Sequence, residues 1–229
     1  MTNGMKDLTI AIDGPSGAGK GTVARTVAER LRYRHIDTGA MYRAVAWKAL
    51  HDDVSLAAES DVAELARAAT LETGPHVRID GHDVTLDIRT PAIDAAAATV
   101  ARMPRVREAL VARQRQLGRG GGVVVEGRDI GSVVFPDADV KIYLDAAPEE
   151  RARRRANDPA HQSGRQQDRA AIATALESRD QTDRTRAASP LTVPVGAVQI
   201  DTTGLAIDEV VRRVMACVED VLAGRTGTG

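Results

Sequence analysis

Cysteine is nearly absent from this chain of 229 residues, which holds the single thiol Cys217. One thiol can form no disulfide within the chain and no thiolate metal cluster. The five histidines are nowhere spaced as HxxH or HxxxH, so the usual pair of zinc ligands on one helix is also missing. We therefore predict neither a disulfide scaffold nor a metal ion held by protein side chains alone.

The sequence has neither a strong charge imbalance nor a long apolar run. Its formal net charge is −1, so no overall basic field would draw it to nucleic acid or to a membrane surface. Aromatic residues make up 2% of the chain, too few for a base-stacking platform. No apolar run approaches the roughly 18 residues of a membrane span, and the first predicted strand leaves no room for a signal peptide. We expect a cytoplasmic monomer without nucleic-acid or membrane partners.

Strand and helix patterns alternate along most of the chain. Apolar runs at residues 8–12, 123–125, 140–144 and 198–200 are typical of buried parallel strands. Amphipathic helical patterns lie between and after them. This order predicts an α/β fold with a doubly wound parallel sheet, formed as one domain over residues 1–229.

The middle of the chain has a different texture. Polar and apolar residues alternate at 77–79 and again at 84–88, and Asp80-Gly81 lies between the two runs. That pattern predicts an antiparallel hairpin. A helical texture resumes over residues 91–117. We therefore expect an inserted antiparallel and helical subdomain within the parallel fold.

A glycine-rich loop between the first strand and the first helix carries the chemistry. It reads Gly14-Pro15-Ser16-Gly17-Ala18-Gly19-Lys20-Gly21-Thr22. Glycines let successive N–H groups turn toward phosphate, the following helix offers its free N–H groups, and the lysine adds a point charge for the β- and γ-phosphates. At about 7% glycine usage, such a match should arise by chance roughly once in 10⁵ chains of this size. The pattern predicts ATP as a bound phosphoryl donor.

The position after Lys20 departs from the general phosphate-loop pattern. Most such loops place Ser or Thr there to hold Mg²⁺, whereas this chain has Gly21, with Thr22 one residue later. The form G-x-x-G-x-G-K-G-T is similar to that of nucleoside-monophosphate kinases rather than GTPases or motor ATPases. We expect Mg²⁺ to accompany ATP, and the sequence leaves its direct protein ligand open.

Charged residues on a late helix and after the third strand are candidates for binding an acceptor. Arg179, Asp183 and Arg186 stand at i, i+4 and i+7 and so share one helical face. Two guanidiniums can bind a phosphate and the carboxylate can accept a ribose hydroxyl, although a solvated ion-pair face is the alternative. Arg128 and Asp129 leave a buried strand at its carboxyl end, where ligands bind, although they could also form a structural ion pair.

Further segments narrow the family. Residues 37–43 follow the second strand, residues 104–108 open a helix, and residues 125–131 leave the third strand. Together with the phosphate loop and the arginines of the late helix, they make the chain resemble bacterial cytidylate kinases over about residues 10–221. That family is similar in carrying an enlarged monophosphate-binding subdomain, which would lie at about residues 38–107.

The resemblance also implies roles for single residues. In related kinases a helical lid, here about residues 149–166, lays arginines over the transferring phosphate. Arg151 and Arg155 share a face and are our first choice, with a solvated basic face as the alternative. The implied acceptor-binding residues are Thr38, Arg43, Arg107, Arg128, Asp129, Arg179, Asp183 and Arg186, and the implied catalytic residues are Lys20, Arg128, Asp129, Arg151 and Arg155.

The resemblance implies a kinase that transfers the γ-phosphoryl group of Mg·ATP to CMP or dCMP. One position departs from the family pattern, since Ala98 stands where the family usually has a serine that hydrogen-bonds cytosine. Either Thr99 substitutes for that serine or base selectivity is looser. Rival interpretations are a kinase for UMP, AMP or shikimate and, from another class, a nucleotide-gated regulator or RNA-binding ATPase. The near-zero net charge and the few aromatics disfavour that second class.

Overall fold

The computed structural model describes residues 7–158, 169–186 and 188–226. Its strands are β1 (Thr9–Asp13), β2 (Arg34–Asp37), β3 (Leu71–Glu72), β4 (Arg78–Ile79), β5 (His82–Asp83), β6 (Val123–Gly127), β7 (Val140–Asp145) and β8 (Val198–Asp201). Five of them form a parallel sheet in the order β2-β6-β1-β7-β8. Because consecutive strand residues face opposite sides, Ile10 and Ile12 pack on one face of the sheet and Ala11 on the other.

Helices cover both faces of this sheet. They are α1 (Lys20–Leu31), α2 (Thr38–His51), α3 (Glu59–Ala68), α4 (Pro91–Val100), α5 (Pro104–Leu117), α6 (Pro148–Ala156), α7 (Arg169–Thr185) and α8 (Ile207–Thr226). Apolar side chains of α1 and α8, such as Val27 and Val214, pack against one face. Those of α2 to α5, such as Met41 and Leu110, pack against the other. The predicted doubly wound α/β fold is confirmed.

The helical texture expected over residues 91–117 consists of two helices, and the second begins at residue 104 as the sequence predicted. α4 ends at Val100 and α5 begins at Pro104. Proline has no N–H group for a preceding turn, and it disfavours the helical conformation in the residue before it. Met103 accordingly has an extended backbone, with φ −78° and ψ 112°, so the chain changes direction between the two helices.

The inserted hairpin forms at the predicted turn but is shorter than expected. β4 and β5 pair antiparallel around Asp80 and Gly81, whose φ values of 49° and 82° suit a tight hairpin turn. The strand expected over residues 84–88 is wrong: Val84 and Ile88 are buried while Leu86 is 78% exposed, so these residues do not alternate as a strand would. β3 adds a third strand to this small sheet.

The predicted lid and the predicted absence of a membrane span concern only partly described parts of the chain. α6 covers the beginning of the lid expected at about residues 149–166, and residues 159–166 of that segment lie outside the described residues. Within the ranges that the structure describes, no helix is both long enough and apolar enough to cross a membrane.

Candidate active site

A cavity of about 750 Å³ opens beyond the carboxyl ends of β1, β2 and β6, the edge at which open α/β sheets bind ligands. Most of the predicted site residues line it, namely Ser16, Gly17, Gly19, Lys20, Gly21, Thr22, Thr38, Arg43, Arg107, Arg128, Asp129, Arg155, Arg179, Asp183 and Arg186. The predicted site residues that do not line it are Gly14, Pro15, Ala18 and Arg151. The fold thus brings residues from distant parts of the sequence to one place.

The loop after β1 adopts backbone conformations that favour glycine. Gly14, Gly17 and Gly19 have φ values of 145°, 80° and 92°. A Cβ atom on Gly14 would lie 1.9 Å from the carbonyl oxygen of Leu144 in β7, so the loop packs directly against the sheet. α1 begins without a side-chain cap, which leaves the N–H groups of its first turn available to phosphate.

Lys20 folds back over this loop. Its Nζ donates a hydrogen bond to the carbonyl oxygen of Pro15 at 2.7 Å. Burial, together with the positive charge of Arg128, lowers the pKa of Lys20 to about 7. A phosphate group in the cavity would supply the negative charge that favours the protonated amine. Lys20 is therefore placed to bind an anion.

Asp13, the last residue of β1, is a buried carboxylate that sequence reasoning missed. It accepts hydrogen bonds from the backbone N–H groups of Ile130 and Gly131, both at 2.7 Å. Burial raises its pKa to about 6 despite these two bonds. Because the bonds fix the segment directly after Asp129, Asp13 positions that side of the cavity relative to the phosphate loop. The available signal was an acidic residue at the end of an otherwise apolar strand.

Arginines and aspartates form one network on the cavity wall built by β6, α5 and α7. Asp129 pairs with Arg107 and, at 3.5 Å, with Arg186. Asp183 pairs with Arg128 at 2.8 Å and with Arg186 at 3.6 Å. Burial opposes ionisation of Asp183, but Arg128 and Arg186 outweigh it and lower the pKa of this carboxyl. The alternative in which Arg128 and Asp129 pair with each other is not observed, because each of them pairs with a residue of a different helix.

Thr38 and Arg43 lie at the start of α2, beside the same cavity. Asp37 caps this helix by accepting the N–H of Ala40 at 2.8 Å. It also pairs with Arg43 at 3.3 Å and with Arg89 at 3.6 Å. Burial opposes ionisation of Asp37, but the two guanidiniums lower its pKa. Asp37 and Arg89 both line the cavity, and sequence reasoning assigned neither of them.

Several guanidinium nitrogens in this region make no hydrogen bond. Nε of Arg43, Nη1 of Arg107 and Nη2 of Arg186 are buried and make no hydrogen bond. Buried polar groups in folded proteins are nearly always paired. These three donors therefore indicate a place that an anionic or polar ligand would fill.

The two arginines selected on α6 have different surroundings. Arg155 lines the cavity and pairs with Asp94 of α4. Arg151 lies outside the cavity lining, where it pairs with the buried Asp180 and donates a hydrogen bond to the carbonyl oxygen of Ser16 at 3.1 Å. The expectation that Arg151 lies over the transferring phosphate is therefore corrected, because its donors contact the phosphate loop and α7 instead.

Within the part of the chain that the structure describes, α4 brings no hydroxyl group to the cavity. Thr99 is exposed, and its Oγ1 donates to the carbonyl oxygen of Ala95 at 3.4 Å. The residues of this region that line the cavity are Ala97 and Ala101. The alternative in which Thr99 substitutes for the missing serine is therefore wrong, because the turn of the helix places Thr99 on the outer surface. Looser base selectivity stays a prediction.

Gly21 and Glu126 face each other beside the phosphate loop. A Cβ atom on Gly21 would lie 3.2 Å from Oε1 of Glu126, and Nε2 of His35 lies 3.0 Å from the same oxygen. Thr22 and Glu126 both line the cavity. Among residues 7–158, 169–186 and 188–226, no group of three His, Cys, Asp or Glu side chains could hold a metal. The donor set fits Mg²⁺ only in its usual form with nucleotides, in which phosphates and water supply most ligands.

The fold and the site together define a P-loop kinase. The parallel sheet is flanked by helices on both faces, and its first strand leads through the glycine loop into α1. The solved structure of a gluconokinase from Sinorhizobium meliloti 1021 superposes with a TM-score of 0.53 over 98% of both chains at 14% identity. That similarity shows the fold alone.

Sequence comparison identifies the family within this class. A sequence model of the family described as cytidylate kinase matches residues 10–220. The cytidylate kinase of Desulfitobacterium hafniense (strain Y51) is 46% identical over 94% of this chain and 94% of its own length. The cytidylate kinase of Pelotomaculum thermopropionicum is 48% identical over 94% of this chain and 96% of its own length. The chain belongs to the cytidylate kinase family.

Proposed function

We propose that this chain transfers the γ-phosphoryl group of Mg·ATP to CMP or dCMP, giving ADP and CDP or dCDP. The observation that carries the proposal is one cavity that joins an intact phosphate loop to three arginines, each with a buried guanidinium nitrogen that makes no hydrogen bond. The names of the closely similar relatives support cytidylate as the acceptor. The enzyme would act in pyrimidine nucleotide metabolism, and its cytoplasmic location and monomeric state stay predictions.

Binding of the donor falls to the loop and Lys20. The loop amides and the first turn of α1 would hold the β- and γ-phosphates, and Lys20 would leave Pro15 to contact them. Arg155 lies on the cavity wall and would contact the transferring phosphoryl group. Phosphoryl transfer needs positioning and charge neutralisation above all. The acceptor phosphate is already anionic near neutral pH, so no strong general base is required.

The acceptor would lie against the arginine network. Burial lowers the pKa of Arg179, and the nearby charges of Arg128 and Arg43 lower it further; the three arginines would share the acceptor phosphate. The role proposed for Asp183 is to accept a ribose hydroxyl, and Arg107 and Asp129 would face the base. The residues on α2, α4 and α5 that line this end fall within the monophosphate-binding insert that we place at about residues 38–107.

Mg²⁺ would be held on the Thr22 and Glu126 side of the loop. Gly21 leaves room there for the Glu126 carboxylate, which His35 orients. When bound, the ion neutralises negative charge on the donor phosphates and orients them for in-line attack.

Steady-state turnover of CMP and dCMP with Mg·ATP tests the proposal. If Asp183 needs only one ribose hydroxyl, dCMP should react nearly as well as CMP through its 3′-hydroxyl. Lys20→Met should abolish both activities, since the loop then lacks its point charge. A purified protein that releases no ADP above background with either acceptor would contradict the proposed function, and dCMP turnover far below that of CMP would contradict the role of Asp183.

A further inference from the structure

Asp94 links α4 to two other helices, each of which carries an arginine that lines the cavity. It lies on α4, and its Oδ2 pairs with Nη2 of Arg155 on α6. Its Oδ1 lies 3.4 Å from Nη1 of Arg179 on α7. A single carboxylate therefore contacts two guanidiniums that come from two different helices. Its side chain is 16% exposed, so solvent screens these contacts only partly.

The start of α4 fixes where this carboxylate points. Thr90 caps the helix by accepting the N–H of Ile93 at 3.3 Å, and Pro91 occupies the first helical position. These features set the rotation of the helix and place Asp94 in its first turn. An aspartate at this end also interacts favourably with the helix dipole. The position of Asp94 is thus determined locally, before any contact with α6 or α7.

The two arginines need a negative partner while the cavity holds no phosphate. Burial lowers the pKa of Arg155 and of Arg179, and the charge on Arg43 lowers both further, whereas Asp94 raises them. Without the carboxylate, these like charges would repel one another in a half-buried site. Among the residues that the structure describes, each guanidinium donates to Asp94 from only one of its two terminal nitrogens, so Asp94 does not use all the donors of either arginine.

We propose that Asp94 is a positioning residue for phosphoryl transfer, which holds Arg155 and Arg179 against the cavity so that their remaining donors face the phosphates. This inference rests on the proposed function, which assigns those two arginines to phosphate. Asp94 itself touches no substrate in this account. It acts by orienting both guanidiniums, and its own negative charge offers nothing to an anionic ligand.

Asp94→Asn tests this inference because the amide keeps the shape of the side chain but has one acceptor oxygen where two guanidiniums need two. We expect kcat with CMP to fall about tenfold while the KM values for CMP and ATP change less than about twofold, since a lost negative charge does not weaken anion binding. Asp94→Glu, which restores both oxygens, should recover part of kcat. Asp87→Asn, the same charge change at an exposed position of the insert, should have no effect. An unchanged kcat in Asp94→Asn, or a loss confined to KM, would overturn the inference.

A variant cycle separates positioning from a general structural role. In a background with Arg155→Ala and Arg179→Ala, Asp94→Asn should cause no further loss of kcat, because the groups through which it acts are gone. A full additional tenfold loss in that background would overturn the inference. Side-chain ¹⁵N NMR of the ligand-free protein gives a readout independent of turnover. Restrained guanidinium signals of Arg155 and Arg179 should broaden or disappear in Asp94→Asn, and unchanged signals would count against positioning. Wild-type turnover of CMP reports on the proposed function alone, so the two ideas can fail separately.

Discussion

Binding of ATP at pH 8 should be accompanied by proton uptake at Lys20. Burial lowers the pKa of this residue to about 7 in the ligand-free protein, so at pH 8 only about a tenth of the molecules carry a charged Lys20. Contact with phosphate favours the charged amine. We therefore expect Lys20 to take up about 0.9 proton per ATP bound at pH 8. By linkage, the association constant for ATP should fall about eightfold per pH unit near pH 8.

Calorimetric titration in two buffers of different ionisation enthalpy measures this uptake directly. Burial raises the pKa of Asp13 to about 6, so this carboxyl is already ionised at pH 8 and contributes little there. Lys20→Met is the control, since it should bind ATP more weakly and without the proton. An uptake below about 0.2 proton at pH 8 would show that Lys20 is already charged before ATP binds. An equal uptake in Lys20→Met would show that another group takes up the proton.

Three further variants test the local geometry. Gly14→Ala should lower the free energy of unfolding by about 3 kcal/mol or more, because its Cβ would lie 1.9 Å from a carbonyl oxygen. The control Gly204→Ala, with open space around the new Cβ, should lower it by only about 1 kcal/mol. Equal urea midpoints for the two variants would contradict this prediction. Thr99→Ala should leave kcat/KM for CMP within about twofold of wild type, since its hydroxyl bonds its own helix; a large loss would return Thr99 to the base site. Asp180→Asn should lower the free energy of unfolding by about 3 kcal/mol, because Asp180 pairs with the buried Arg151. It should also raise the KM for ATP, because Asp180 accepts a hydrogen bond from the Ser16 N–H of the phosphate loop. An unchanged melting temperature would contradict the predicted loss of stability.

Features encoded by short stretches of sequence were predictable. The valines at 123–125 are fully buried in the sheet, and their apolar run predicted a buried strand without any knowledge of tertiary contacts. The glycine loop was equally predictable, because its residue types are required by backbone conformation or by charge, and all of them lie within nine consecutive positions. The turn at Asp80 and Gly81 formed where the hairpin was predicted.

Features that depend on rotation and on distant partners were not predictable. Arg151 and Arg155 share one face by spacing, yet Arg151 meets Asp180 while Arg155 meets Asp94. The partner of each arginine lies on α7 or α4, so the sequence of α6 alone does not show which arginine faces the cavity. Thr99 follows the cavity-lining Ala97 by two residues, and only the packing of α4 against its neighbours shows that the Thr99 side chain faces outward.

Internal competition among acceptors tests whether this enzyme prefers cytidylate as its phosphoryl acceptor. CMP, dCMP, UMP and AMP would be offered together at equal low concentration with limiting [γ-³²P]ATP and Mg²⁺, and the labelled diphosphates separated. Product ratios then report relative kcat/KM without separate rate measurements. CDP and dCDP should carry most of the label. If ADP made from AMP, or UDP, carried most of it, the phosphate loop would keep its role, but the assignment of the acceptor to cytidylate would be contradicted.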